Sequence, residues 1–450
     1  MKSFSRYLIP SLISSILIST YVIIDGIFVG QKIGDLGLSA INIIWPVTAL
    51  LQGVGLALGL AGGILISTLK GEEKHELAQK VKLTTLTLIT IFAVILGLLF
   101  YLIKEPLITF LGASNDSYSY ALEYLKVILA GSLFQMLGIG MVPLLKNSGK
   151  VKIAAMASIS SIVVNFILDY VFLFPLNMDL DGAALASVIA QVVSSLICIV
   201  AYYKELKGVS FKKCVIKPLL IGSIAPFILN YSYSIIIIIT NIITMKYGGD
   251  EAVAAYTLLS YILYIINASA QAVGDSIQPL FSYNEAKKER KINHNMLKKC
   301  FIISFILCLV LSLIFYIFRY QLGDLYNLSD VAFDYYLDGL IYYIIGFIFV
   351  SIIKVIASYL YAVNDTKLAN IVIISEPFII TPILIIVLSI LLKLNGVWIS
   401  YLNVQIVLFI LSGLILLYRF KKEYKEWFKW MVFYLLINLK VGHLKMLLPI

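Results

Sequence analysis

The feature that most constrains this chain is a repeated length. Apolar runs of about 20 residues, nearly free of charge, recur along all 450 residues. Wound as a helix at about 1.5 Å per residue, such a run covers the roughly 30 Å hydrocarbon core of a bilayer. Inside lipid every backbone amide must find its partner within the protein, which leaves only helices or closed barrels. The runs are continuous rather than alternating, and this disfavours a barrel. Composition agrees: 61% of residues are hydrophobic and 13% charged, against about 25% charged in soluble domains. The fold class is therefore an all-α polytopic membrane protein, embedded in the lipid bilayer.

Twelve helices are predicted, over 7–31, 40–69, 83–103, 122–145, 152–174, 183–203, 217–245, 252–281, 298–319, 336–361, 368–392 and 396–419. The segment after "MKSFSRY" stays apolar to about Val29 without a small-residue cleavage site. The first helix is thus expected to stay in the protein rather than leave as a signal peptide. The net charge of +10 could suggest a nucleic-acid partner, but its distribution argues otherwise. Lys and Arg gather on alternate loops, as in "KGEEKHELAQKVK", "LKNSGKVK", "YYKELKGVSFKK" and "NEAKKERKINHNMLKK". That is the positive-inside pattern, and it predicts both termini in the cytoplasm and no nucleic-acid binding. Cys198, Cys214, Cys300 and Cys308 form no CxxC pair and read as ordinary residues. His75, His294 and His443 fall in loops or tail, where solvation accounts for them.

The two halves echo each other. "IGDLGLSA" at 33–40 is matched by "GGDEAVAA", "VKIAAMASI" at 151–159 by "TKLANIVII", and "DGAALASVIAQ" at 181–191 by "NGVWISYLNVQ". All three pairs are offset by about 215 residues. Six helices then repeat six in the same orientation, giving two six-helix bundles about a pseudo-twofold axis along the membrane normal, a transporter plan. The expected units are an N-terminal lobe 1–205, a C-terminal lobe 206–420 and a tail 421–450. The apolar, Lys-dotted tail suits either an interfacial segment or a disordered one.

Within this apolar background a few polar residues stand out. "SSIVVNFILDYVFLF" (160–174) holds Asn165 and Asp169 one helical turn apart. A carboxylate facing lipid there costs about 2.5–3.5 kcal/mol on insertion scales. Asp25, late in the first helix, and Ser187, early in the sixth, fall at a similar depth, in the half of the first bundle away from the basic loops. Two neighbouring carboxylates cannot both stay ionised without a counter-charge, so the group suits a proton or a hard cation such as Na⁺. The competing reading is structural, with Asp25 capping a helix end and Asp169 bonded inside the bundle. The repeat argues against it: an offset of 215 lands Asp25 on Thr240, Asn165 on Ile380 and Asp169 on Leu384. Scaffold carboxylates would be needed in both bundles.

A second rank comprises Tyr21, Gln191, Glu376, Lys354 and Asp275. Gln191 lies one turn below Ser187. Glu376, before Pro377, reads equally as a second protonation site or as a bonded carboxylate at a proline kink. Lys354 reads more readily as snorkelling to the interface than as an anion ligand. Asp275 reads mainly as a helix-end or gate residue. The series "GVGLALGLAGG" (53–63) has no GK[ST] and suits close helix contact or bending.

In this order, "IPSLISSILISTYVIIDGIFVGQKIG", "GLALGLAGGILISTLKGEEKHELAQK", "NFILDYVFLF" with "DGAALASVIAQ", and "GGDEAVAAYTLLS" with "SIQPLFSYNEAKK" resemble the multidrug and toxic compound extrusion (MATE) family, over about residues 5–420. The resemblance implies a monomeric, cation-coupled antiporter in the bacterial cytoplasmic membrane, with H⁺ or Na⁺ as coupling ion and no other cofactor. It implies small amphipathic organic cations as substrates. It also places ion coupling on Asp25, Asn165, Asp169 and Ser187, where the family usually has Thr at the last position, and helix bending at Pro10. The alternative is a flippase for a lipid-linked oligosaccharide precursor, whose pyrophosphate would want basic residues in the cavity. Lys354 is the one candidate inside the helices. An enzyme finds no support, since no HExxH, GxSxG or metal constellation lies in the helices.

Overall fold

The computed structural model describes residues 23–446, with side chains through residue 421 except at 204, 229, 279 and 286. Pro10, Tyr21 and most of the first expected helix lie outside the described residues, as do the side chains of nearly all the tail. Helices account for nearly all of what is described: α1 (23–33), α2 (Asp35–Gly71), α3 (His75–Leu102), α4 (Lys104–Phe110), α5 (Tyr118–Ala130), α6 (Ser132–Asn147), α7 (Val151–Leu173) and α8 (Leu180–Leu206). After a 3-10 turn, Lys213–Val215, come α9 (Ile216–Ala286), α10 (Arg290–Ile317), α11 (Arg319–Leu325), α12 (Asp330–Ala362), α13 (Thr366–Ser375), a π-helical turn Glu376–Ile380 and α14 (Thr381–Met446).

The two longest helices each contain a break. Gly249 in α9 has φ 68° and ψ −163°, and Lys393 in α14 has φ 52° and ψ −128°, so each helix holds two spans. Counting α5 and α6 as one bent span, eleven spans lie among the described residues, and α1 is the described end of a twelfth. The expected continuous helix 122–145 is not continuous: α5 and α6 meet at 61° at Gly131. Val188 of α8 packs there, and a Cβ on residue 131 would sit 2.4 Å from its Cγ2.

The internal repeat is written in the backbone. Left-handed residues occur at Gly34 and Gly249, Glu73 and Lys288, Gly112 and Asn327, and Gly149 and Asn364, each pair 215 apart. Asn177 and Lys393 follow at 216. The short helices α4 and α11 are likewise 215 apart. A left-handed residue is the usual way to end a helix, so the two halves stop and restart their helices at the same places.

Packing follows the same division. One apolar core is built almost entirely from residues 29–219, and two others come mainly from residues 252–416. α2 passes so close to α6 that a Cβ on Gly59 would lie 1.9 Å from the carbonyl oxygen of Gly140. The glycine series of α2 therefore serves close helix contact.

Ion pairs fasten the basic end of each half. Glu205, at the end of α8, binds Lys150 at 2.6 Å and also Lys82, with both ammonium groups over the Tyr202 ring. In the second half Arg419 of α14 binds Asp365 and Glu285, each at 3.3 Å. Asp365 stands 215 residues after Lys150, so corresponding clamps carry opposite charges.

Hydrogen bonds between the halves gather at the opposite end. Gln31 donates to the carbonyl of Leu325 at 2.7 Å, Tyr326 to that of Ile23 at 3.1 Å, and Asn241 to that of Asn42 at 2.9 Å. The carboxylate of Asp250, 7% exposed, accepts from Ser39 Oγ at 2.6 Å and also from Ser114 Oγ.

Candidate functional site

α7 shows how a polar pair is kept out of lipid. Phe166, Ile167 and Tyr170 are exposed on one side, while Ser161, Asn165, Asp169 and Leu173 are buried at a four-residue spacing on the other. The i, i+4 repeat places one stripe on one helix face, and that stripe packs against α8 and the first bundle. Asn165 and Asp169 are each 1% exposed.

The structure brings the four first-rank residues into two contacts. The carboxyl groups of Asp25 and Asp169 are within hydrogen-bonding contact. Asn165 Nδ2 donates to Ser187 Oγ at 3.3 Å. One oxygen of each aspartate, Asp25 Oδ1 and Asp169 Oδ1, is buried without a hydrogen-bond partner. Carboxylates are acceptors only, so two in contact need a proton or a cation between them. The amide oxygen of Asn165 and the hydroxyl of Ser187 are further oxygen donors nearby. This donor set suits a proton or a hard, oxygen-seeking monovalent cation. Among the described residues no cluster of three or more His, Cys, Asp and Glu suggests a transition-metal site.

Asp25 and Ser187 also line a cavity of about 780 Å³ between the two halves. Gln191 lines it too, with its side chain against Gly138 of α6. The opposite wall carries Glu376 and a group of tyrosines. Glu376 opens the π-helical turn and accepts from Gln405 Nε2 at 3.0 Å. Lys354 lines the cavity, and its charge acts on Asp275. Asp275 is neither at a helix end nor in the cavity lining. α9 runs on to Ala286, about three turns further, and Asp275 accepts from Gln271 at 2.8 Å and Ser358 at 3.0 Å.

Several participants escaped sequence reasoning. Tyr261 and Tyr326, from the second half, close over Asp25. A Cβ on Gly26 would lie 2.3 Å from the Tyr261 ring, so the glycine after Asp25 makes room for that tyrosine. The "DG" pair was the available signal. Gln52 and Gln135, hydrogen-bonded to each other at 3.1 Å, add amides to the cavity wall.

Comparison with known proteins bears on this arrangement. A family model described as MatE matches residues 10–171 and 224–387. The multidrug export protein MepA of Staphylococcus aureus (strain MSSA476) is 24% identical over 414 residues, 88% of this chain and 89% of the relative. MepA of Staphylococcus haemolyticus is 23% identical over 63% of this chain, and the match spans 64% of that relative's length. A structure described as the inward-facing conformation of a multidrug resistance MATE family transporter superposes with TM-score 0.81, at 20% identity, over 90% of this chain and 95% of that one. Its outward-facing counterpart gives 0.72 at 20% identity over 94% and 96%. These likenesses establish the twelve-helix, two-bundle fold.

Proposed function

The chain belongs to the MatE family of membrane transporters, and from that premise we propose that it exports amphipathic, often cationic drugs across the bacterial cytoplasmic membrane by cation-coupled antiport. The observation that carries the proposal is the contact of Asp25 with Asp169 in the wall of the cavity between the halves. One aspartate faces the cavity and the other lies behind it. Loading the pair with a proton or Na⁺ removes charge from the cavity wall, and unloading restores it. An ion moving down its gradient thereby changes how the wall receives a positively charged substrate. Moving one elementary charge through about 100 mV supplies about 2.3 kcal/mol.

The halves act as the lobes 1–205 and 206–420, with the basic loops and both termini in the cytoplasm. On this reading the inter-lobe hydrogen bonds at the opposite end seal the outer side in one state of an alternating-access cycle. The first lobe carries the coupling group and the second most of the aromatic wall. The charged residues lining the cavity, Asp25, Glu376 and Lys354, favour an organic cation over the pyrophosphate of a lipid-linked oligosaccharide.

Dye efflux by cells lacking their own pumps tests the reading. Asp25→Asn and Asp169→Asn should each abolish ethidium export while protein level stays normal. Full export by both variants would sink the coupling assignment. Counterflow in proteoliposomes, with proton and sodium gradients imposed separately, identifies the ion.

A further inference from the structure

The second-lobe wall of the cavity holds a carboxylate that the coupling mechanism does not use. Glu376 is half-buried and lines the cavity at the first residue of the π-helical turn. Single π-turns within α-helices recur at functional sites. Gln405 Nε2 donates to Glu376 Oε1 at 3.0 Å, and Gln405 is 3% exposed, so a buried neighbour holds the carboxylate in place.

The neighbours of Glu376 are aromatic. Tyr233 and Tyr401 are close enough to feel its charge. Tyr401 stacks on Tyr343 with centroids 4.1 Å apart and an interplanar angle of 12°. All three tyrosines line the cavity. The hydroxyls of Tyr233 and Tyr401 are buried and have no hydrogen-bond partner among the described residues. Two unpaired phenols beside a fixed carboxylate, on a wall of ring faces, do not resemble packing optimised for its own sake. Buried polar groups are normally paired, and exceptions call for an explanation.

Lys354 lines the same cavity, and no ion pair joins it to Glu376 among the described residues. The lining therefore presents one anion and stacked π-faces, with two unpaired phenol oxygens buried beside them. Ring faces attract cations, and phenol oxygens accept from N–H groups. A flat aromatic cation with exocyclic amino groups satisfies all three.

We propose that Glu376, with Tyr233, Tyr401, Tyr343 and Gln405, forms a substrate subsite in the second lobe that takes the positive aromatic portion of a planar cation. It rests on the export reading above and assigns recognition to residues separate from the Asp25–Asp169 coupling pair. Glu376 is here a binding residue, and Gln405 positions it.

The test is ethidium binding to the purified full chain in nanodiscs, read by fluorescence anisotropy. The parent protein should bind. Glu376→Gln should weaken binding at least tenfold, and Glu376→Asp, which keeps the charge, should stay within about threefold of the parent. Tyr401→Phe and Tyr233→Phe remove only the hydroxyls and should each weaken binding about threefold or more. They decide the matter if the Glu376→Gln protein does not fold. Parent-like binding by Glu376→Gln, or by both phenylalanine variants where that protein is lost, overturns the subsite and leaves the export reading standing. No binding of ethidium by the parent overturns both.

Discussion

Asp250 offers the sharpest test of the proposed outer seal. It directly follows the left-handed Gly249, so it begins the second span of α9. Its carboxylate reaches across to Ser39 on α2 and to Ser114 between α4 and α5. A hydrogen bond to a charged group contributes about 1.5–3 kcal/mol net. Taking the lower value for each serine, Asp250→Ala should weaken the closed state by about 3 kcal/mol. At a factor of ten per 1.4 kcal/mol, that shifts the closed-to-open equilibrium about a hundredfold. Asp250→Asn keeps an acceptor but loses the charge, and about tenfold is expected.

The readout is access to the cavity from outside the cell. Thr48 lines the cavity and is 5% exposed. Thr48→Cys, in a background where the four native cysteines are serine, should react slowly with an impermeant maleimide added to whole cells. Adding Asp250→Ala should raise the labelling rate by one to two decades, and Ser39→Ala by less, since one bond of the two remains. Equal labelling with and without Asp250→Ala would refute the assignment of this end as a gate held by Asp250.

Further expectations follow from packing and charge. Gly59→Ala places a methyl group against the Gly140 carbonyl, 1.9 Å from its oxygen, and should collapse the monodisperse fraction in size-exclusion chromatography. Gly413→Ala, where a Cβ meets nothing within 4 Å, should leave that fraction unchanged. Burial pushes the pKa of Glu205, just beyond its span, upward, but the hydrogen bonds and charges of Lys150 and Lys82 outweigh burial and hold it below the ordinary carboxylate value. Its contribution to stability is therefore complete above the unfolded-state pKa of about 4.3 and is lost as pH falls through the lower folded value. In detergent, the melting-temperature gap between parent and Glu205→Gln should shrink as pH drops from 7 towards 3; a gap that does not change with pH would refute the ion-pair account.

The spans were legible because lipid imposes a simple rule on length and polarity, and the offset of 215 was legible because matching loops kept matching residues. Asn165, Asp169 and Asp25 could be singled out because charge inside an apolar run is conspicuous. What could not be read depends on rotation about helix axes and on the meeting of the two halves. α4 and α11 are seven residues each, too short for a periodic signal, and read as ends of spans or as loop. The 61° bend at Gly131 lies where Val188 of α8 packs, a contact that local sequence does not reveal. The chain has 29 tyrosines, and nothing local separates Tyr261 or Tyr401 from the rest. Asp275 lies further from a helix end than expected for a related reason: where α9 stops is set by neighbouring helices as well as by its own sequence.

The clamps at the basic end have a bearing on how such a chain assembles. Its halves share many helix ends at a constant offset, so either end hairpin could dock against the other half's partner while the chain inserts. Were the clamps alike in charge, that exchange would cost little. As they stand, Lys150 and Asp365 occupy matching places with opposite sign, and their mates Glu205 and Arg419 are opposite as well. A swapped pairing sets Lys150 against Arg419 and Asp365 against Glu205, two repulsive contacts in place of two attractive ones. The inverted charges thus act as a proofreading key, letting two near-copies of one architecture fold in a single chain without mistaking each other for themselves.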